Sequence, residues 1–367
     1  MDKYYNKVVH GKWSCKKIIV EGDFKMKKFL CLILCLACVL SVMSCTKDNT
    51  DKPADTDTGK SEAEEKLSVT AVVAGTLGDR SFYDSAAEGL EKLNKDHGVI
   101  TNVLECQNDA SMYKTQLVNA AETSDFVVAV GWEFCDALPE TADEYPDTKF
   151  IYVDEAIEGK DNIMNIKYAQ NEGSFLVGYI AAKMSETGKV GAVGGMDNDT
   201  INDFLTGFEQ GAKYAKKKIK VLKAYAGDFG DPAKGKECAL SLYDKGADVI
   251  FQVAGKTGEG VFDAAEETGN YAIGVDADQK YINDDVIICS MKKEVGNSIY
   301  DAVVEFMENG TFRGGETIVT NMAQGYIDVG YGEEGSKQQV PDDIKEKIEE
   351  IKALIVEGEI VVETTRK

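Results

Sequence analysis

Residues 246–279 read GADVIFQVAGKTGEGVFDAAEETGNYAIGVDADQ: a strand, a glycine turn, a helix and a second strand in succession. Residues 249–253 form a short apolar run of the kind that fills a parallel strand buried on both faces. Gly255, Gly258 and Gly260 follow, and glycine permits tight turning and close approach of bare backbone to a ligand. Residues 261–267 continue as a helix, with Val261, Phe262, Ala264 and Ala265 giving an apolar face. Residues 271–275 are the next strand, and Asp276 and Asp278 stand just past its C-terminal end. Ligands of open parallel sheets bind in the crevice outside those ends. A site here therefore combines backbone amides from the turn with carboxylates from the second strand. Two nucleotide motifs are excluded. A phosphate loop ending in Gly255-Lys256-Thr257 needs glycine where Ile250 stands, and the three glycines run in the reverse of the dinucleotide order.

The same alternation extends in both directions. Strands are expected at 67–75, 99–106, 126–130, 149–154 and 163–168, with helices at 85–95 and 111–121 and a loop at 76–84. The pattern then restarts with helices at 172–184, 202–215 and 234–243 and strands at 189–194 and 221–225. Beyond the opening stretch come a strand at 286–290, a helix at 294–308, a short strand at 317–319 and a last helix at 341–356, with Pro341 in its first turn. Such alternation makes doubly wound parallel sheets. A weak internal echo points to two similar lobes. Asp125, a buried strand, Gly131 and then Asp136-Ala137 parallel Asp248, a buried strand, Gly255 and then Asp263-Ala264.

The 367 residues suffice for two ordinary domains. With 41 Lys and Arg against 64 Asp and Glu, the net charge of −23 argues against nucleic acid and anionic membrane surfaces as partners. Near the N-terminus, Met26-Lys27-Lys28 is followed by an apolar run at 29–42, too short to span a bilayer comfortably, and then by Val42-Met43-Ser44-Cys45. This is similar to a bacterial lipoprotein signal, with Cys45 lipidated and Met26 as the natural start. Residues 46–66 carry almost nothing apolar and read as a tether. Cys106, Cys135, Cys238 and Cys289 are scattered without C-x-x-C spacing, so neither a metal site nor a disulfide framework is indicated, and His97, alone after the signal, excludes multi-histidine metal sites and is the one candidate for histidine-based catalysis.

With these residues laid out, the chain resembles the basic membrane protein family of substrate-binding lipoproteins, the PnrA-like nucleoside receptors of bacterial ABC importers. The resemblance runs from Ser68 to about Gly330 and rests on Asp79-Arg80-Ser81-Phe82, Asp136-Ala137-Leu138 with Tyr145-Pro146-Asp147, Gly194-Gly195-Met196, Gly227-Asp228-Phe229 with Lys234-Gly235, Ala254-Gly255 with Thr257-Gly258, and residues 274–279. It implies an α/β, two-lobed fold of the type I periplasmic-binding-protein kind, each lobe a doubly wound parallel sheet flanked by helices. Three hinge crossings are implied at 166–169, 290–293 and 326–330. The lobes then comprise 67–168 with 293–326, and 169–292 with 327–367, preceded by the signal (1–44) and the lipidated tether (45–66).

The implied ligand is a nucleoside, and the implied partner an ABC permease. The protein would be a monomer, lipid-anchored on the extracytoplasmic face of a bacterial cell membrane, with no cofactor. The resemblance assigns Phe82 and Phe229, each in a loop, to clamping the base from opposite lobes. It also assigns Asp276 and Lys293 to the ribose and Gly255 to a backbone contact with the sugar; Asp154, at a strand end facing the cleft, is the candidate for reading the base edge. Bland readings stand beside these. Phe82 and Phe229 read alternatively as core, Asp276 as a turn cap, and Trp132 as lining the cleft or packing beneath it. Asp79 and Asp84 read as turn and cap residues. Arg80, Tyr83 and Lys256 depart from the family's usual residues around the pocket. Two rival functions remain open at this point: a binding protein for a sugar or related polar ligand, and a nucleoside hydrolase or phosphorylase.

Overall fold

The structure, a computed structural model, describes residues 66–366; the signal segment, Cys45 and the tether up to Glu65 lie outside the described residues. The first lobe begins β1 (Ser68–Val73), α1 (Phe82–His97), β2 (Ile100–Glu105), α2 (Tyr113–Ala121), β3 (Phe126–Val130), α3 (Ala137–Glu144), β4 (Lys149–Val153) and β5 (Ile163–Tyr168). The second contains α4 (Gln170–Met184), β6 (Lys189–Gly194), α5 (Asp199–Ala215), β7 (Lys220–Tyr225), α6 (Pro232–Asp244), β8 (Val249–Val253), α7 (Glu259–Thr268), β9 (Tyr271–Asp276) and β10 (Ile287–Lys293). The chain then returns as α8 (Val295–Asn309) and β11 (Thr317–Thr320), and finishes with β12 (Ile327–Gly330) and α9 (Asp342–Val356).

Two six-stranded sheets result, ordered β2-β1-β3-β4-β5-β11 and β7-β6-β8-β9-β10-β12. The order is the same in both, and the two-fold reading of the sequence has its basis here. Every pairing is parallel except β10 with β12. The apolar runs at β3 and β8 are wholly buried, as a strand covered on both faces requires. Even the acids of the echo are equivalent. Asp125 accepts from the amide and hydroxyl of Ser68, the first residue of β1, and Asp248 accepts from the amides of Glu186 and Thr187 just ahead of β6.

The chain changes sheet three times, after β5, β10 and β11. Residues 290–293 are not themselves a crossing: they complete β10, paired with β9 and β12, and the turn follows at Glu294. Residues 327–330 likewise are strand, so the last crossing is at 321–326.

Helices flank both sheets, and two helix pairs meet through glycine. A Cβ at Gly211 of α5 would lie 1.8 Å from the Phe175 carbonyl oxygen of α4, and one at Gly89 of α1 would lie 2.3 Å from the Gly296 oxygen of α8. Only hydrogen in place of a side chain permits that approach. The contacts matter for the site because α1 and α5 begin at the cleft.

Candidate functional site

In each sheet the chain reverses direction of travel between the first and third strands, and the C-terminal ends of both sheets face the space between the lobes. This is where sheet topology opens a crevice. The cleft encloses about 730 Å³ of empty space, part of it open to solvent. From the first lobe it is lined by Gly75 and Asp79 after β1, by Gly131, Trp132 and Glu133 after β3, and by Asp154 after β4. From the second it is lined by Ala254 and Gly255 after β8, by Asp276 ending β9, and by Lys293 ending β10. All six residues singled out from sequence, Phe82, Asp154, Phe229, Gly255, Asp276 and Lys293, line this one space.

Asp154 and Asp276 close the fourth strand of their respective sheets, and both take a left-handed backbone, φ 79° and 62°. Non-glycine residues seldom adopt it, aspartate more readily than most, and such strain gathers at ligand sites. Between them lies Lys293, 2% exposed. Its ammonium donates to both Asp154 oxygens at 3.1 and 3.0 Å and lies 3.6 Å from Asp276. It also sits 4.5, 5.0 and 5.2 Å from the ring centres of Phe82, Tyr168 and Phe204. The rings and the two carboxylates replace the water this cation has lost. Burial pushes the Asp276 carboxyl up, and Lys293 and the Ser81 hydroxyl pull it back. That hydroxyl, from the first lobe, donates to Asp276 of the second at 2.7 Å.

Phe82 is not in a loop, as sequence suggested: it is the first residue of α1. The reason is Asp79, whose carboxylate accepts from the amides of Ser81, Tyr83 and Asp84 and so starts the helix three residues before the apolar periodicity does. Asp84 accepts in turn from Gly78 and Arg80. Phe229 does lie in a loop. Its ring lies against Gly195, where a Cβ would come within 2.3 Å of it. Both phenylalanines are half-buried rather than enclosed in core.

Tyr83 and Lys256 line the cleft, but Arg80 does not. Arg80 instead bridges the lobes. Its side chain pairs with Glu259 at 3.6 Å, and its carbonyl accepts from Gln279 at 2.9 Å. Trp132, 36% exposed, lines the cleft. Sequence reasoning passed over Glu133, Asn198, Thr200 and Phe204, which also line it. Glu133 had a signal: it stands two residues after Gly131, the counterpart of Gly255. Burial pushes its carboxyl up to about 7, with Asp154 adding to the rise and its own amide opposing it. Among the described residues no group of His, Cys, Asp and Glu can hold a metal ion, and no helix is long and apolar enough to cross a membrane.

Residues 66–365 match the family described as ABC transporter substrate-binding protein PnrA-like. The chain is 33% identical over 346 residues to basic membrane protein A1 of Borrelia garinii subsp. bavariensis, covering 92% of this chain and 96% of that one. It is 32% identical over 325 residues to the ABC transporter nucleoside-binding protein BmpA of Lactococcus lactis subsp. cremoris, covering 83% and 90%. Among solved structures, an ABC transporter system solute-binding protein of Aeropyrum pernix K1 superposes with a TM-score of 0.74 at 27% identity, covering 82% and 94%.

Proposed function

The chain belongs to the PnrA-like family of ABC transporter substrate-binding proteins, and from that premise we propose that its cleft binds a nucleoside and presents it to a membrane permease. One observation carries the reading. Two half-buried phenylalanines from opposite lobes line a single cavity with the cluster of Asp154, Asp276 and Lys293, whose ammonium lies 4.5 Å from the Phe82 ring centre. Aromatic rings suit the faces of a base, and buried carboxylates beside an ammonium suit the hydroxyls of a sugar. In this reading Phe82 and Phe229 hold the base, Asp276 and Lys293 hold the ribose, and Gly255 lends backbone.

The protein acts as a monomer, lipidated at Cys45 and held at the outer face of a bacterial cell membrane. The role calls for no bond breaking, so the protein is a receptor rather than an enzyme. Freshly purified protein, denatured and its released small molecules identified by mass spectrometry, should yield a nucleoside. A free sugar in its place would overturn the ligand class, and free base accumulating from added nucleoside would overturn the non-enzymatic reading.

A further inference from the structure

Beyond α9, which packs on α4 of the second lobe, residues 362–366 run back along α5 as a strap. Side chains of that lobe hold it at each step. Asn171 of α4 donates to the Val362 carbonyl at 2.9 Å, and Gln210 of α5 donates to the Glu363 carbonyl and accepts from its amide, each at 3.0 Å. Asp203, 1% exposed, accepts from the Thr364 hydroxyl and the Thr365 amide, and the Thr365 hydroxyl donates to the Asp199 carbonyl. The partners descend α5 from Gln210 to Asp199, so the strap runs antiparallel to that helix and brings Arg366 to the helix start beside the cleft. Arg366 then leaves its own lobe. Its guanidinium, in a side chain 5% exposed, donates to the Asp154 carbonyl and, at 2.8 Å, to Glu155 Oε1, both just past β4 of the first lobe. The same Glu155 oxygen accepts from the Thr200 hydroxyl of α5 at 3.2 Å. Asp154 is thereby held on three sides, since its amide donates to the Ile166 carbonyl of β5 and its carboxylate accepts from Lys293.

We propose that residues 362–366 are a latch on the closed cleft: Arg366 catches Glu155 and the Asp154 carbonyl when the lobes meet, and its release sets how fast ligand leaves. Parting the lobes must either break the Arg366 contacts or strip the strap from α4 and α5. The strap has the larger set of bonds, so the molecule parts at Arg366. A single guanidinium suits the task, because it is always charged and its fork of donors can take a carboxylate and a carbonyl together. Arg366 does not line the cavity, so the latch acts on the balance of open and closed forms whatever the cleft holds. A contact made only in the closed form favours that form by its own free energy. Ligand leaves after reopening, so losing the contact shows in the dissociation rate. The contact is also an ion pair at the protein edge, with Glu155 32% exposed, and salt screens it.

The test is stopped-flow release of adenosine, guanosine, inosine and uridine, followed through the fluorescence of Trp132 in the cleft. Wild type is compared with Glu155→Gln, Arg366→Gln and the double variant. Each single variant should release nucleoside about fivefold faster than wild type, with association no slower. The double variant should be little faster than Arg366→Gln alone, because the two residues form one contact. Added salt should speed release from wild type more than from either variant. Unchanged release from Arg366→Gln would overturn the proposal, as would fully additive effects in the double variant or one salt response shared by all four proteins. Failure of every nucleoside to bind would refute the nucleoside reading, and the latch would still be decided by small-angle X-ray scattering of the ligand-free proteins. Both single variants should then be more extended than wild type, and equal dimensions would overturn the latch.

Discussion

Asp276 combines a buried carboxyl, a left-handed backbone and a hydrogen bond from the opposite lobe. Removing its charge is a clean experiment because Lys293 keeps Asp154 as a partner, whereas removing Lys293 would strand two acids. Asp276→Asn keeps the shape and tolerates the same φ. It should weaken nucleoside binding by about 1.5–3 kcal/mol, the worth of a hydrogen bond to a charged group, and weaken binding of the free base far less. Equal losses for both would move Asp276 out of the ribose site.

Glu133 makes a prediction about stability. Its folded value of about 7 exceeds the ordinary 4.5, so the folded state binds a proton more readily than the unfolded chain. Stability therefore falls as pH climbs from 4.5 to 7 and stays lowered above that. Asp154 faces it, and Tyr83, Cys106, Tyr113 and Tyr152 surround it, all four of the latter pushed upward and so neutral in this range. Asp79, beside Tyr83, is pushed up to about 6 by burial, but Glu133→Gln leaves it in place. That variant should raise the ligand-free melting temperature by a few degrees at pH 8 and not at pH 4.5. The same rise at both would show that the carboxyl is not ionised at a cost.

At the scale of elements, α4 and α5 are spaced by Gly178, Gly207 and Gly211, and a Cβ at any of them would lie 2.2 Å or less from a backbone oxygen of the facing helix. Alanine is the better helix former by about 1 kcal/mol, yet Gly211→Ala should destabilise by about 1–3 kcal/mol because the helices must part. Denaturant unfolding decides; a gain in stability would mean that the helices stand further apart than described. The strands were the legible part of this architecture. Phe126–Val130, Ile163–Tyr168, Lys189–Gly194 and Val249–Val253 fall where their apolar runs ended. Helix starts were read late, at 85 for Phe82, 202 for Asp199 and 234 for Pro232. Their first turns are polar, and the capping by Asp79, Asn198 and Asp231 that makes them helical leaves no apolar period to read. The site divided similarly. Strand-end acids were visible from position alone, whereas the burial that pushes the Glu133 carboxyl up is a property of the packed structure.

The whole molecule is drawn together across the cleft by polar contacts of several kinds. Ser81 bonds Asp276, Gln279 bonds the Arg80 carbonyl, Lys293 bonds Asp154, and Arg366 near the C-terminus reaches Glu155 at 2.8 Å. Closure of two lobes on a ligand is the ordinary motion of binding proteins, and Phe82 and Phe229, one from each lobe, line one cavity here. Cys45→Ala should leave the protein unprocessed and misplaced in cell fractionation, since stable anchoring takes more than one acyl chain on that residue; normal processing would remove the lipoprotein assignment. The central claim is that a nucleoside sits between the two rings. Calorimetry of ligand-stripped wild type, Phe82→Ala and Phe229→Ala against nucleosides and free sugars tests it most directly. Wild type should bind one nucleoside per chain, each variant should lose about 1–3 kcal/mol of affinity, and free sugar should give no comparable heat. Saturable sugar binding with no response to any nucleoside, or nucleoside binding untouched in both variants, would contradict it.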